Sequence, residues 1–217
     1  MSIFSEISEA LQKGKKKAVI EFVQNALNDG ISAKEILDDA LLSAMEVIGE
    51  KFKNNEIFVP EVLMAAKAMN EATALLKPHL AEQGVEPMGK AIIGTVKGDM
   101  HDIGKNLVAL MMEGKGIEVI DLGVDVSAEK FYEAFERENA KIIACSSLIT
   151  TTMGEMKNVV DYFIQKGKRD QVQIMVGGAL VTDAYRQSIG ADLYSPDAAT
   201  AADLAKSVLM TSNHATL

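Results

Sequence analysis

Hydrophobic residues recur every three or four positions at the start of the chain, which is the spacing of the buried face of an amphipathic helix. This spacing predicts a first helix through Ile3, Ile7 and Leu11 and a second through Val19 and Val23. No alternation of period two interrupts the pattern. The N-terminal part of the chain is therefore predicted to be helical.

Two more helices are indicated by residues that favour helix starts. Ser32 followed by Glu35 predicts a capping box, in which each side chain accepts a hydrogen bond from the other residue's backbone N–H. The helix that it opens should extend to about Phe52. Pro60 stands at a first-turn position and opens a fourth helix. Four helices joined by short connections predict a small bundle over residues 1–82.

The period of the pattern changes after residues 83–90, which have no regular spacing and are predicted to form a linker. The short, β-rich apolar runs in residues 91–217 are AIIGTV, EVIDLG, KIIACSS, QIMVGG and a weaker fifth run, ADLYS. The helical stretches between and after them are about 103–115, 127–138, 152–167, 181–189 and 198–210. This alternation predicts an α/β domain with a doubly wound, five-stranded parallel sheet of flavodoxin-like or Rossmann-like type.

Composition and charge exclude several classes of protein. The 217 residues are 48% hydrophobic and 24% charged, and 22 basic against 31 acidic residues give a formal charge of −9. A nucleic-acid binder that tracks phosphates needs a basic surface instead. No apolar run reaches the roughly 18 residues of a membrane span, and the N-terminal basic cluster follows the apolar residues, unlike a signal peptide. One cysteine, Cys145, allows no internal disulfide. We therefore expect a cytoplasmic protein with no nucleic-acid or membrane partner.

A histidine among acids stands at the end of the first predicted strand, in the stretch KGDMHDIGKN of residues 97–106. His101 lies between Asp99 and Asp102, whereas His79 and His214 lie in the predicted bundle and the C-terminal tail. The stretch matches neither glycine-rich phosphate motif, no nucleophile can be assigned to pair with it, and a zinc site needs three or four ligands. Two interpretations stay open: a loop histidine bonded to a neighbouring acid, and a single imidazole ligand to a metal held by a macrocycle.

Three motifs at fixed spacing carry a family resemblance. They are D-x-H-x-x-G at residues 99–104, S-x-L at residues 146–148 after 41 intervening residues, and a glycine pair at residues 177–178 after another 28. Each follows a predicted strand. In this pattern the chain resembles the cobalamin-binding domain of methionine synthase and of the corrinoid proteins of anaerobic methyltransferase systems. The stretch SAMEVIGEKFKNNEIFVPEVLMAAKAM likewise resembles the helical cap that precedes that domain.

The resemblance implies a cobalamin or related corrinoid cofactor with His101 as the lower axial cobalt ligand. Asp99 would accept the other ring N–H, which fixes the tautomer, and the Thr152 hydroxyl would bond to Asp99. Thr152 with Glu155 also fits a capping box. Phe58 would cover the upper face of the corrin, or it could instead pack as a hydrophobic staple before Pro60.

The same resemblance implies small residues along a path for the displaced nucleotide tail of the cofactor. Ser146 could instead be an ordinary strand-end hydroxyl, and Gly177-Gly178 an ordinary turn between a strand and a helix. The cofactor-binding residues that the resemblance implies are Gly98, Asp99, Met100, His101, Asp102, Ile103, Gly104, Ser146, Leu148, Thr150, Thr152, Gly177, Gly178, Tyr194, Ala198 and Phe58.

The function that the resemblance implies is that of a corrinoid methyl carrier. Cobalt(I) would accept a methyl group from a substrate-specific methyltransferase, and a second methyltransferase would pass it to tetrahydrofolate or coenzyme M. A reductive activation protein would be a further partner. The chain would not be catalytic alone, because a substrate barrel needs roughly 250 residues.

Two other functions share the lower-ligand motif. A cobalamin-dependent sensor is disfavoured because the chain has no basic helix-turn-helix segment. The small subunit of an adenosylcobalamin mutase is disfavoured because such subunits lack the cap. Carriers of this plan serve methylamines, methanol, methoxylated aromatics and betaines, and the choice among these donors lies in the partner enzyme.

Overall fold

The structure, a computed structural model, describes residues 2–214. Residue 1, where the predicted bundle begins, and residues 215–217, where the predicted α/β domain ends, lie outside the described residues. The described chain divides into two compact units. The first contains the residues up to Pro87 together with Glu113–Gly116, and the second contains the remaining described residues. The exact domain bounds of 1–82, 83–90 and 91–217 stay predictions.

The first unit is helical, as its apolar spacing predicts. Helices α1 (Ile3–Gln12) and α2 (Lys16–Asn28) are followed by α3 and by α4 (Val59–Glu82). Helix α3 has three successive segments, which are Ala33–Glu35, the π-helical Ile36–Leu42 and Ser43–Lys53. The predicted capping box at the start of α3 is present, with both reciprocal hydrogen bonds. The side chains that line the interior of this unit include Ile7, Leu11, Val19, Val23, Ile36, Leu41, Met45 and Leu76.

Helix α4 shows how far the sequence predicts the bundle. Pro60 stands in its first turn, where its missing N–H costs no helical hydrogen bond. The helix continues through Pro78 and ends at Glu82. The staple interpretation of Phe58 is wrong, because that side chain is 63% exposed. Its backbone N–H donates to the Glu61 carboxylate at 3.1 Å, which holds the start of the helix.

The second unit alternates strands and helices. The strands are β1 (Lys90–Thr95), β2 (Glu118–Asp121), β3 (Ile142–Ser146), β4 (Gln173–Gly177) and β5 (Leu193–Tyr194). The helices are α5 (Ile103–Glu113), α6 (Ala128–Glu138), α7 (Thr150–Gln165), α8 (Asp183–Ile189) and α9 (Ala198–His214), with a short 3₁₀ turn at Arg169–Gln171. The predicted fold class is thereby confirmed.

The strand order β2-β1-β3-β4-β5 places the functional loops. All described strand pairs are parallel, and the order reverses direction between β1 and β3. Open α/β sheets bind ligands at the carboxyl edge beside such a reversal. Thr95 is in register with Ser146, and Ser146 with Gly177, so the loops after β1, β3 and β4 begin side by side.

The core of this unit lies on the sheet under α6 and α7. Phe131 and Phe163 are fully buried there, and Phe163 makes edge-to-face contacts with the rings of Tyr132 and Phe135. Cys145 lies in the same core, and burial raises the pKa of its thiol to about 12, so it is not a reactive nucleophile. Among the described residues no helix is both long and apolar enough to span a membrane.

Candidate functional site

After β1 the chain makes a tight turn, which places Asp99 close to the end of the strand. The backbone N–H of Asp99 donates to the carbonyl of Val96 at 3.1 Å. Gly98 within this turn has φ +81°, a conformation that glycine adopts without steric cost. The buried hydroxyl of Thr95 donates to the carbonyl of His101 at 2.8 Å. The loop is thus bonded to the last residue of β1, Thr95, and to Val96, which follows it.

Asp99 and His101 form the centre of the site. The Asp99 side chain is completely buried, and its Oδ1 lies 2.7 Å from Nδ1 of His101. The same oxygen accepts the backbone N–H of His101 at 3.0 Å. Two contacts from one carboxylate oxygen fix both the position of the His101 backbone and the rotation of its ring.

The segment between β3 and α7 holds the other oxygen of Asp99. Oδ2 accepts the backbone N–H of Leu148 at 2.8 Å and lies 3.1 Å from the Thr152 hydroxyl. The Ser147 hydroxyl lies 2.9 Å from the Thr152 hydroxyl. The Thr152 hydroxyl is equally close, at 3.1 Å, to the Ile149 carbonyl. Because each hydroxyl carries one proton and the carboxylate is the stronger acceptor, we assign a chain in which Ser147 donates to Thr152 and Thr152 donates to Asp99.

These contacts keep the Asp99 carboxylate ionised. Burial alone raises the pKa of a carboxyl group, but the pKa of Asp99 lies well below its ordinary value because several donors together outweigh that effect. The donors are the backbone N–H groups of His101 and Leu148, the His101 ring and the Thr152 hydroxyl. A permanently charged acceptor at 2.7 Å favours a proton on Nδ1 of the neutral imidazole. Nε2 then carries a free lone pair.

The lone pair on Nε2 faces away from the buried carboxylate. The His101 side chain is 53% exposed, and Nε2 has no hydrogen bond to any residue that the structure describes. No group of three or more His, Cys, Asp or Glu residues in the described part of the chain could hold a metal ion. The site therefore offers one imidazole ligand backed by a carboxylate, which suits a metal whose other ligands come with a cofactor.

The steric constraints differ among the glycines of the site. A β-carbon on Gly178, whose φ is +142°, would lie 1.8 Å from the Ser147 carbonyl oxygen, so the protein itself requires glycine there. A β-carbon on Gly177 would be at an ordinary 3.6 Å from the Ser195 carbonyl. A β-carbon on Gly104, in the first turn of α5, would meet nothing within 4 Å. Packing within the protein does not explain glycine at position 104.

Apolar side chains surround this edge of the sheet without being buried. The large hydrophobic residues that are more than a third exposed in the loops after β1, β3 and β4 or at the start of α5 are Met100, Ile103, Leu148, Ile149 and Leu180. Their clustering on one edge provides an apolar rim around His101. Such a rim suits a large, flat and partly apolar ligand.

The structure does not place every predicted residue in the Asp99 network. Ser147, one position after the predicted Ser146, supplies the hydroxyl of the network. Asp102 instead accepts a hydrogen bond from the Asn106 side chain at 3.2 Å, and Thr150 begins α7. The capping-box alternative for Thr152 is wrong, because the residue before the first helical position of α7 is Ile149.

The remaining predicted residues lie elsewhere. Tyr194 ends β5, and its ring packs partly buried against the core. Ala198 begins α9, whose first turn is capped by the Asp197 carboxylate. Phe58 belongs to the helical unit.

Sequence reasoning missed two polar residues near the loop. Lys105 is 2% exposed, and its Nζ bonds to Asn106 and to Asp121 at the end of β2. Asp125 accepts the backbone N–H of Gly98 at 2.7 Å. A non-glycine residue with positive φ, such as Asp125 at 55°, cannot be recognised from one sequence.

Comparison with known proteins decides the family. A family model described as a B12 binding domain matches residues 89–204, and a second model with the same description matches residues 3–77. The chain belongs to the family of corrinoid proteins. Its cofactor is therefore a cobalamin-type corrinoid, as the three motifs indicated.

Relatives align with this chain over nearly their whole length. The chain is 38% identical over 208 residues to the dimethylamine corrinoid protein of Methanosarcina barkeri, covering 95% of this chain and 97% of that one. It is 37% identical over 212 residues to a corrinoid protein of Desulfitobacterium hafniense, covering 96% and 98%. A solved structure of the methanol:cobalamin methyltransferase complex from Methanosarcina barkeri matches with a TM-score of 0.86 at 30% identity, over 96% of this chain and 80% of that one.

The residues around His101 fit the corrinoid cofactor of this family. The donor set is a single imidazole with its tautomer fixed by Asp99. The open space beside Gly104 and the apolar rim are explained by a ligand that lies over this edge. The imidazole donor, the open space beside Gly104 and the apolar rim thus agree on one occupant.

Proposed function

We propose that this corrinoid protein is a methyl carrier between two methyltransferases. The first enzyme transfers a methyl group from its substrate to the carrier, and the second removes it for tetrahydrofolate or coenzyme M. The bound corrinoid supplies a cobalt centre that can accept and release a methyl group. The protein holds the cofactor, orients it and presents it to its partners.

The observation that supports this role most strongly is the bond between Asp99 and His101. With Nδ1 hydrogen-bonded to a buried carboxylate at 2.7 Å, Nε2 is the nitrogen left for the metal. A charged hydrogen-bond acceptor makes the imidazole a stronger donor. Ser147 and Thr152 extend the network, and their rotatable hydroxyls allow it to adjust when the charge at His101 changes.

The other residues proposed to hold the cofactor surround this pair. Gly98, Met100, Asp102, Ile103 and Gly104 belong to the loop and first turn that carry His101. The residues proposed for the tail path and the rim are Ser146, Leu148, Thr150, Gly177, Gly178, Tyr194 and Ala198. Phe58, exposed in the helical unit, is proposed to shield the upper face.

The partners follow from the same proposal. We infer that the donor is a small methylated compound, because the relatives' names specify dimethylamine in one case and methanol in another. A substrate-specific methyltransferase activates that compound, since the residues that the structure describes form a helical unit and a five-stranded α/β unit and no substrate barrel. A reductive activation protein returns oxidised cobalt to its nucleophilic state.

Transfer of a radiolabelled methyl group tests the proposal. The full chain is loaded with hydroxocobalamin, reduced with titanium(III) citrate, and incubated with labelled dimethylamine and a dimethylamine-specific methyltransferase, or with labelled methanol and its methyltransferase. The proposal predicts that label elutes with the carrier and is then discharged by a coenzyme M or tetrahydrofolate methyltransferase. Retained corrinoid with no label from either system would contradict the carrier role.

A further inference from the structure

Asp125 lies outside the three family motifs, yet it contacts the loop that carries His101 at two points. Its Oδ1 accepts the backbone N–H of Gly98 at 2.7 Å. Its own backbone N–H donates to the carbonyl of Asp99 at 3.1 Å. The two bonds run in opposite directions and bracket the peptide between Gly98 and Asp99.

The segment that carries Asp125 is itself fixed to β1. Thr95 donates its backbone N–H to the carbonyl of Gly123 at 2.9 Å and accepts the N–H of Val126 at 2.9 Å. Val96 and Val126 form an isolated parallel bridge, and both are buried. Asp125 is therefore held between two residues that are bonded to the strand, which makes it a stiff support.

Asp125 adopts this position in an uncommon backbone conformation. Its φ of 55° lies in the left-handed region, which disfavours most side chains, although Asn, Asp and glycine tolerate it. Nothing in the packing of α6 requires it, because Ser127 supplies the cap of that helix through Lys130 N–H. In this conformation the Asp125 carboxylate accepts the hydrogen bond from the backbone N–H of Gly98.

We propose that Asp125 is a positioning residue for axial ligation by His101. The side chain of Asp99 is held by the β3–α7 segment, whereas its backbone is held by Val96, which accepts its N–H, and by Asp125. Without Asp125 the bond to Val96 alone would fix the peptide before Asp99, and the His101 ring could tilt away from the metal. The proposal rests on the proposed ligand role of His101 and adds a residue that acts on it through the backbone.

Substitutions at position 125 separate the hydrogen bond from the backbone conformation. Asp125→Asn keeps an acceptor oxygen and tolerates positive φ. Asp125→Gly tolerates positive φ but has no side-chain acceptor. Asp125→Ala neither provides an acceptor nor tolerates positive φ. Asn139→Ala is the matched control, because Asn139 also has positive φ, at 51°, but caps the far end of α6, about 16 Å along the helix axis.

The measurement is the ratio of histidine-ligated to unligated cobalt(II) in the loaded full chain, read from nitrogen hyperfine structure in electron paramagnetic resonance. Asp125→Gly and Asp125→Ala should lower this ratio roughly tenfold, and Asp125→Asn should stay within about threefold of wild type. Asn139→Ala should leave it unchanged even if the protein melts at a lower temperature.

Three results would overturn the positioning role. They are a wild-type ratio in Asp125→Gly, an Asn variant as impaired as the Gly variant, and an equal loss in Asn139→Ala. If Asp125→Ala does not fold, the Gly and Asn variants still decide. Absence of histidine hyperfine structure in the wild type would instead reject the ligand role of His101, so the two failures are distinguishable.

Discussion

Gly178 lies so close to Ser147 that a β-carbon on the glycine would stand 1.8 Å from the serine's carbonyl oxygen. This contact joins the loop after β4 to the loop after β3, beside the hydrogen bond from Ser147 N–H to the Gly177 carbonyl. The Asp99 network depends on that geometry, because Ser147 and Leu148 both contribute donors to it.

Gly178→Ala should therefore destabilise the protein before any cofactor is considered. The clash is with backbone, and φ at +142° is strained for alanine, so we expect a loss of roughly 3 kcal/mol or more in the free energy of unfolding of the apo-protein. Urea unfolding of wild type, Gly178→Ala and Gly177→Ala would measure it. Equal stability of the two variants would show that the close approach does not exist.

Gly104→Ala should have effects of opposite sign on folding and on cofactor binding. In the apo-protein the new methyl group meets nothing within 4 Å and replaces glycine in a helix, so stability should rise by up to about 1 kcal/mol. The affinity for hydroxocobalamin should fall, because the methyl group occupies space proposed for the ligand. Unfolding curves and equilibrium dialysis test the two halves separately, and unchanged affinity would remove Gly104 from the site.

The buried carboxylate of Asp99 should make the apo-protein sensitive to acid. Its folded-state pKa is lowered below the ordinary value of 3.8, so its contribution to stability is complete above that value and is lost as the pH falls through the lowered pKa. At neutral pH, Asp99→Asn should cost roughly 2–4 kcal/mol through its lost charge-assisted hydrogen bonds. The stability difference between wild type and variant should shrink below about pH 4, and a constant difference would contradict the assignment.

Adjacent threonines in α7 provide a matched test of the hydroxyl network. Thr152 is 7% exposed and contacts Asp99, whereas Thr151 is exposed. Thr152→Val should lower the free energy of unfolding by about 1–3 kcal/mol because it leaves buried acceptors with fewer donors. Thr151→Val, which makes the same change on the surface, should stay within about 0.5 kcal/mol. The assignment fails if the two variants are equally stable.

The sequence predicts the fold well where its signals are local. Short, β-rich apolar runs mark the strands, apolar spacings of three and four mark the helices, and three motifs at fixed spacing mark the loops around His101. The π-helical segment Ile36–Leu42 was missed, because it changes the turn without interrupting the apolar pattern. Pro78 by itself favours the end of a helix, yet it lies within α4 in the structure.

The site was predicted less completely than the fold. Ser147 and not Ser146 faces Asp99, because the side that a residue faces just beyond a strand depends on how the chain turns there. Asp125 contacts Gly98 from 27 positions away, between two loops that share no pattern. Lys105 and Asp121 pair across β2 and α5 for the same reason. Such contacts depend on sheet register, which the sequence does not encode as a motif.

The most direct test of the account is whether His101 ligates the metal. Cobalt(II)-loaded protein grown with nitrogen-15 histidine should show an altered hyperfine pattern in electron paramagnetic resonance compared with unlabelled protein. His101→Ala should still bind the corrinoid, more weakly, and should show no effect of the label. An identical pattern with and without labelled histidine in the wild type, or an unchanged label effect in His101→Ala, would contradict His101 as the axial ligand.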